Sequence, residues 1–180
     1  MRIIGGKFKR RPLKNPNGKD IRPTTDKQRE ALYNIISDKI IDARVLDLFA
    51  GTGAMGIEAL SRGASFVVFI DNAKKSLRLI QENIKNFKVE SYSQVIKWNI
   101  SKNLSCLKDQ LFDLVFLDPP YHHTYIQTTL SHLQKAQCLN KETIIVAEHD
   151  IKDKIIIPDG LKLYDFRKYG RSQFSFFGLY

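Results

Sequence analysis

Val45-Leu46-Asp47-Leu48-Phe49-Ala50-Gly51-Thr52-Gly53-Ala54-Met55-Gly56 reads as an apolar strand that runs into a glycine-rich turn. The turn opens a helix through Ile57-Glu58-Ala59-Leu60. Glycine at such a turn takes positive φ and lets a ligand approach the backbone with no Cβ in the way. The first N–H groups of the helix lack intrahelical partners and suit polar ligand atoms. An ordinary tight βα turn would share these local features, so the rest of the chain must say whether a ligand sits there, and which.

Outward from this stretch the pattern alternates. Strands are expected at about 45–49, 66–71, 92–98, 112–118 and 143–148, and helices at about 54–62, 73–87, 101–109 and 124–137. This alternation predicts an α/β fold with a parallel sheet covered on both faces. After Pro158-Asp159-Gly160 the pattern changes to a closing antiparallel hairpin, residues 161–169 and 173–180 around Gly170-Arg171-Ser172. Upstream, Arg2-Ile3-Ile4-Gly5-Gly6-Lys7-Phe8-Lys9-Arg10 carries a hairpin signal at its Gly-Gly pair, and Asn15-Pro16-Asn17-Gly18 is a turn. Thr24 or Thr25 then caps a helix, with Gln28 as capping-box partner and Leu32, Ile35, Ile36 and Ile40 on its apolar face. The expected organisation is a basic hairpin and arm over 1–25, followed by the main domain over 26–180.

The 180 residues, 43% of them hydrophobic, suit one well-buried domain. No apolar run is long enough for a bilayer, and Met1-Arg2-Ile3-Ile4-Gly5-Gly6 is not a secretory leader. Cys106 and Cys138 have no metal-like spacing, and His132 and His149 are scattered, so no metal and a reduced cytoplasmic setting are expected. The net charge of +10 is unevenly placed. Residues 1–25 hold eight basic residues against the single acid Asp20. Such a patch is the footprint of a polyanion partner, although a solubilising arm would look the same.

Gly51, Gly53 and Gly56 satisfy G-x-G-x-x-G, and Asp71 closes the next strand, which is the dinucleotide fingerprint. Asp47 argues against a nicotinamide or flavin, because it interrupts the apolar strand just before the turn. No second domain is left for an oxidisable substrate. An acid-lined pocket instead suits a ligand with a positive centre and an adenosine, and S-adenosylmethionine has both. Asp71 can accept from both ribose hydroxyls, or cap the helix ahead of Asn72-Ala73. Asn99 can meet the adenine edge, or serve only as a turn residue. Asp47 can face the methionine amino group, or order the turn.

Phe112-Asp113-Leu114-Val115-Phe116-Leu117-Asp118-Pro119-Pro120-Tyr121 is the second informative stretch. A buried strand delivers an aspartate, two prolines and an aromatic to the sheet edge where open α/β folds bind ligands. The prolines fix φ and leave rigid carbonyls. This suits methyl transfer to an exocyclic base amine, whose lone pair is delocalised into the ring. Asp118 can accept one N–H and the Pro119 carbonyl the other, turning the lone pair toward the methyl. Tyr121 can stack on the flipped base.

Asp47-Leu48-Phe49-Ala50-Gly51-Thr52-Gly53 and Asp118-Pro119-Pro120-Tyr121 resemble the signature motifs of class I S-adenosylmethionine-dependent amino-methyltransferases. Arg2-Ile3-Ile4-Gly5-Gly6, Arg22-Pro23-Thr24 with Asp26, Arg29-Glu30-Ala31-Leu32-Tyr33-Asn34 and Glu58-Ala59-Leu60-Ser61-Arg62-Gly63-Ala64 narrow the likeness, nearly end to end, to the RsmD family. That family methylates the N2 amine of one guanine in bacterial 16S rRNA. The resemblance implies a Rossmann-like, seven-stranded, mostly parallel sheet with one antiparallel strand, preceded by a hairpin and helix. It implies S-adenosylmethionine on Asp47, Phe49, Ala50, Gly51, Thr52, Gly53, Asp71, Asn72, Asn99 and Asp118, and catalysis by Asp118, Pro119 and Tyr121. The expected partner is 16S rRNA, naked or in an assembling small subunit, held on Arg2, Lys7, Lys9, Arg10, Arg11 and Arg22. A cytoplasmic monomer is expected. The family often has Glu where this chain has Asp71, an acid near Asn99, and Phe where Tyr121 stands. Adenine N6, in DNA or tRNA, is the alternative target, since Asp118-Pro119-Pro120-Tyr121 suits it too. His122 and His123 are read as loop residues and Trp98 as core. Arg22, Thr24 and Arg29 can line the entrance, and Tyr169-Gly170-Arg171 can project toward substrate.

Overall fold

The computed structural model describes residues 1–15, 26–120 and 124–180. The expected caps Thr24 and Thr25, and the candidates Arg22, Tyr121, His122 and His123, lie outside the described residues. The elements run α1 (Asp26–Ile35), α2 (Ser37–Ile40), β1 (Arg44–Leu48), α3 (Ala54–Ser61), β2 (Phe66–Asp71), α4 (Lys74–Phe87), β3 (Ser93–Lys97), β4 (Phe112–Leu117), α5 (Tyr125–Lys135), β5 (Leu139–Asp150), β6 (Leu161–Tyr169) and β7 (Ser172–Leu179). One seven-stranded sheet has the order β3-β2-β1-β4-β5-β7-β6. All neighbours are parallel except β7, which is antiparallel to both β5 and β6. The expected sheet and closing hairpin are both present.

The strands are apolar on both faces because both faces are covered. Leu32, Tyr33, Ile57, Phe69, Phe116 and Phe174 belong to the core beneath α1, α3 and α4. Leu46, Val68, Val115, Leu130, Leu133 and Ile145 belong to the core beneath α5. Strand order reverses between β1 and β4, which opens a crevice at their carboxyl ends. Both aspartate motifs end there.

Three expected elements differ. Residues 101–109 form turns and a 3-10 turn at Ser105–Leu107 rather than a helix. Asn99 Oδ1 accepts the Ser101 N–H and Asn103 Oδ1 accepts the Ser105 N–H, so asparagine side chains satisfy the backbone in place of helical carbonyls. The first helix breaks at Ile36, which leaves Ile35 exposed and Leu32, Ile36 and Ile40 buried. The N-terminal hairpin is wider than a Gly-Gly turn: Arg2 bridges Pro12, and Gly6–Phe8 is a 3-10 turn.

That hairpin lies against α3 and α4. Ile3 and Leu13 are buried in the first core. Glu58, fully buried on α3, accepts the backbone N–H groups of Ile4 and Gly5, both at 2.7 Å, and the Arg62 Nε–H at 2.8 Å. Asn83, fully buried on α4, accepts the Lys14 N–H and donates to the carbonyls of Lys14 and Thr52. The glycine-loop backbone and the N-terminal segment are thereby tied to one side chain.

Candidate active site

The glycine loop is built by left-handed backbone. Phe49, Gly51 and Gly53 have φ of +59°, +58° and +75°. At Gly51 a Cβ would find only the Phe49 carbonyl, 3.8 Å away, so the surface beside it is open. Gly53 is the N-cap of α3 and faces Phe69. At Gly56 a Cβ would stand 2.3 Å from Phe69 Cε1, so this glycine lets α3 lie directly on β2.

Two aspartates hold the loop. Asp47 Oδ2 accepts the Gly56 N–H at 2.9 Å. Asp71 Oδ2 accepts the Gly51 N–H at 3.0 Å and its Oδ1 accepts the Ala73 N–H at 2.9 Å. The turn-ordering role read for Asp47 is realised, whereas Asp71 ties the glycine loop to an Asx turn at Ala73 and caps no N–H of α4 itself. Each carboxylate keeps further lone pairs toward the space in front.

That space is a cleft of about 520 Å³, within the usual range for small-molecule sites. Its walls bring together Asp47, Phe49, Ala50, Gly51, Thr52, Asp71, Asn72, Asn99, Asp118 and Pro119. Gly53 is not among the lining residues, consistent with its place under α3. Trp98 lines the cleft while packing partly on the second core, so its core role is only half of its environment. Its indole N–H donates to the Asn103 carbonyl.

Sequence reasoning missed Glu148, Tyr125 and Ser76, which also line the cleft. Tyr125 meets Phe49 edge to face at 5.8 Å. Glu148 sits near the end of β5 and is 9% exposed. No local pattern marked it, because its position depends on the register of β5 against β4. Arg29 reaches the cleft wall but is buried under the hairpin, donating to the Arg2 carbonyl and Asp26. Among the described residues its Nε and Nη1 find no hydrogen-bond acceptor, and Glu58 Oε2 stands 3.9 Å from Nη1.

Four carboxylates, Asp47, Asp71, Asp118 and Glu148, share this cleft. Burial, then the nearby Asp71 charge, pushes the Asp47 carboxyl up to about 8, against the lowering pull of the Gly56 N–H. Asp118 opens on the cleft but lies deep among protein atoms. That desolvation, then Glu148 and Asp47, raises its carboxyl well above the usual range. Paired acids that disfavour each other's charge suit a cationic ligand, beside which they ionise more readily. Among the described residues no group of three His, Cys, Asp or Glu is placed to hold a metal ion.

The basic hairpin is exposed at Arg2, Lys7, Lys9, Arg10 and Arg11, but these cations differ. Arg2 pairs with Asp26 at 3.0 Å. Arg11 donates to the Asn86 carbonyl at 2.7 Å and stacks on Phe87 at 4.5 Å, so it serves the end of α4. Lys7 stands over the Phe8 and Tyr92 rings. No helix among the described residues is long and apolar enough to cross a membrane.

The model of the family described as Conserved hypothetical protein 95 matches residues 1–178. YlbH of Bacillus subtilis is 38% identical over 152 residues, 83% of either chain. Ribosomal RNA small subunit methyltransferase D of Buchnera aphidicola is 35% identical over 162 residues, 90% of this chain and 84% of that one. The solved structure of yhhF from Escherichia coli superposes with a TM-score of 0.88 at 30% identity, covering 99% of this chain and 97% of that chain. With a class I sheet, two aspartate motifs meeting in one cleft and a match along its whole length, the chain belongs to the RsmD family and is a methyltransferase.

Proposed function

We propose that this protein transfers a methyl group from S-adenosylmethionine to the exocyclic N2 amine of a guanine in bacterial 16S rRNA. The single observation that carries the reading is the convergence of Asp47, Asp71 and Asp118 on one cleft. The residues present fit the cofactor: acids for its cationic end, open backbone at Gly51, and Phe49 and Trp98 as apolar walls. When bound, S-adenosylmethionine supplies an electrophilic methyl on a positively charged sulfur.

Asp71 and Asn72 would hold the ribose, the loop from Phe49 to Thr52 the methionine portion, and Asn99 the adenine side. Asn99 Oδ1 already accepts a backbone N–H, which makes it the weakest of these contacts. Asp118 accepts one amine N–H and the Pro119 carbonyl the other, turning the nitrogen lone pair toward the methyl. Asp118, ionised beside the cationic cofactor, would then take the proton that the methylated amine sheds. Orientation and fixed charge supply most of the barrier reduction. Tyr121 stacks on the base in this scheme.

The basic residues of 1–25 hold RNA phosphates, with Lys7, Lys9 and Arg10 the cations best placed among the described residues. The small-subunit name of the Buchnera relative favours 16S rRNA, free or in an assembling particle. Such a substrate implies work in the cytoplasm. Calorimetry tests the cofactor: S-adenosylhomocysteine should bind, and tight binding of a nicotinamide dinucleotide in its place would refute the reading. Asp118→Ala should abolish transfer with cofactor affinity nearly unchanged, whereas comparable activity in the variant would remove Asp118 from the chemistry.

A further inference from the structure

The last registered pair between β4 and β5 is Leu117 with Ala147. Asp118 and Glu148 follow it, side by side on strands about 4.8 Å apart. Strand alternation places them on the same sheet face. Two residues back, Phe116 and Val146 pack in the first core, and Glu148 is itself paired with Phe174 of that core. Both carboxylates line the cleft, and Glu148 raises the pKa of Asp118 through its charge. A second acceptor therefore stands one strand over from the group that receives the amine.

We infer that Glu148 selects guanine over adenine at the Asp118 site by accepting the ring N1–H. This rests on the methyl-transfer reading of the cleft. Guanine presents N1–H beside its N2 amine, two donors in a row, and two adjacent carboxylates match that row. Adenine presents an N1 lone pair beside its N6 amine, and a carboxylate facing that lone pair is repelled. Asp118-Pro119-Pro120 serves either amine, so on its own it does not choose between the bases. A site built to accept a donor strongly rejects the analogue that turns a lone pair toward it instead. Glu148 is a specificity residue that touches the base, while Asp118 remains the residue on the reacting amine.

The test uses small-subunit RNA ligated to carry, at the methylated position, either guanine or 2-aminopurine. The latter keeps the N2 amine but has an N1 lone pair in place of N1–H. Wild type should methylate guanine about 100-fold faster than 2-aminopurine. Glu148→Gln should slow the guanine reaction and cut that preference by about 10-fold or more, because the side-chain amide can donate to N1. A 2-aminopurine fluorescence titration with S-adenosylhomocysteine present should show tighter binding by the variant. Glu148→Asp keeps a carboxylate and should retain the guanine preference, which separates recognition from damage to folding. An unchanged guanine to 2-aminopurine ratio in Glu148→Gln, with both rates reduced alike, would overturn the inference and leave the methyl-transfer reading intact. Wild type that methylates N2 of neither RNA would overturn both.

Discussion

Asp47 accepts the backbone N–H of Gly56 at 2.9 Å, so the carboxylate inside β1 fastens the first turn of α3. The same side chain faces the cleft. It is a structural cap and a wall of the site, and its titration should report on both.

The Asp47 carboxyl, pushed up to about 8, keeps its proton in the folded chain where the unfolded chain has lost it near pH 4. A raised carboxyl gives stability that is fully present below about pH 4 and is lost as pH rises through about 8. Asp47→Asn cannot ionise, so it should flatten this part of the profile. Thermal unfolding of both proteins between pH 5 and 8 measures the difference. Identical slopes would show that Asp47 titrates normally.

Gly56 and Gly51 make a contrasting pair. Gly56→Ala forces a methyl against Phe69 and Val67, where overpacking costs about 1–3 kcal/mol. Gly51→Ala meets no side chain but keeps φ at +58°, a strain of about 1–2 kcal/mol. Urea denaturation should show both losses. Cofactor affinity should fall chiefly in Gly51→Ala, because only that methyl projects beside the cleft.

Removing Glu58 should unfasten the N-terminal hairpin. Glu58→Ala leaves Arg62 without its buried acceptor, removes the charge that faces Arg29 at 3.9 Å and frees the N–H groups of Ile4 and Gly5, a loss of about 3–5 kcal/mol. Hydrogen exchange at Ile4, Gly5 and Phe8 should quicken well before that of β1. Unaltered protection there would show that Ile3, Leu13 and the bonds from Ser61 and Asn83 hold the segment without Glu58.

Lys9 and Arg10 are exposed on the hairpin and outside the core contacts that hold it. Lys9→Ala with Arg10→Ala should weaken RNA binding and lower the slope of log affinity against log salt by about two. Arg11→Ala should instead lower stability, because Arg11 caps α4 and stacks on Phe87. A salt slope unchanged in the double variant would move the RNA surface elsewhere.

Which features were legible in the sequence follows from where their causes lie. Asp47 and Asp118 stood out because a carboxylate in a buried strand is costly without a purpose, and each motif carries its own turn chemistry. The alternating pattern conveyed the parallel sheet because strands buried on both faces are apolar without interruption. Glu148 stayed hidden because a polar strand end is ordinary, and only the Leu117–Ala147 register sets it beside Asp118. The stretch after Asn99 misled because Asn99 and Asn103 divert the backbone through side-chain bonds that periodicity does not see. Arg11 counted as one more surface charge until its contacts with Asn86 and Phe87 gave it a structural task.

The most direct measurement incubates the protein with methyl-labelled S-adenosylmethionine and small-subunit particles or their purified RNA, then digests the RNA to nucleosides. The label should appear as N2-methylguanosine from 16S rRNA and should vanish with Asp118→Ala. Label in N6-methyladenosine, or in no RNA nucleoside, would contradict the account.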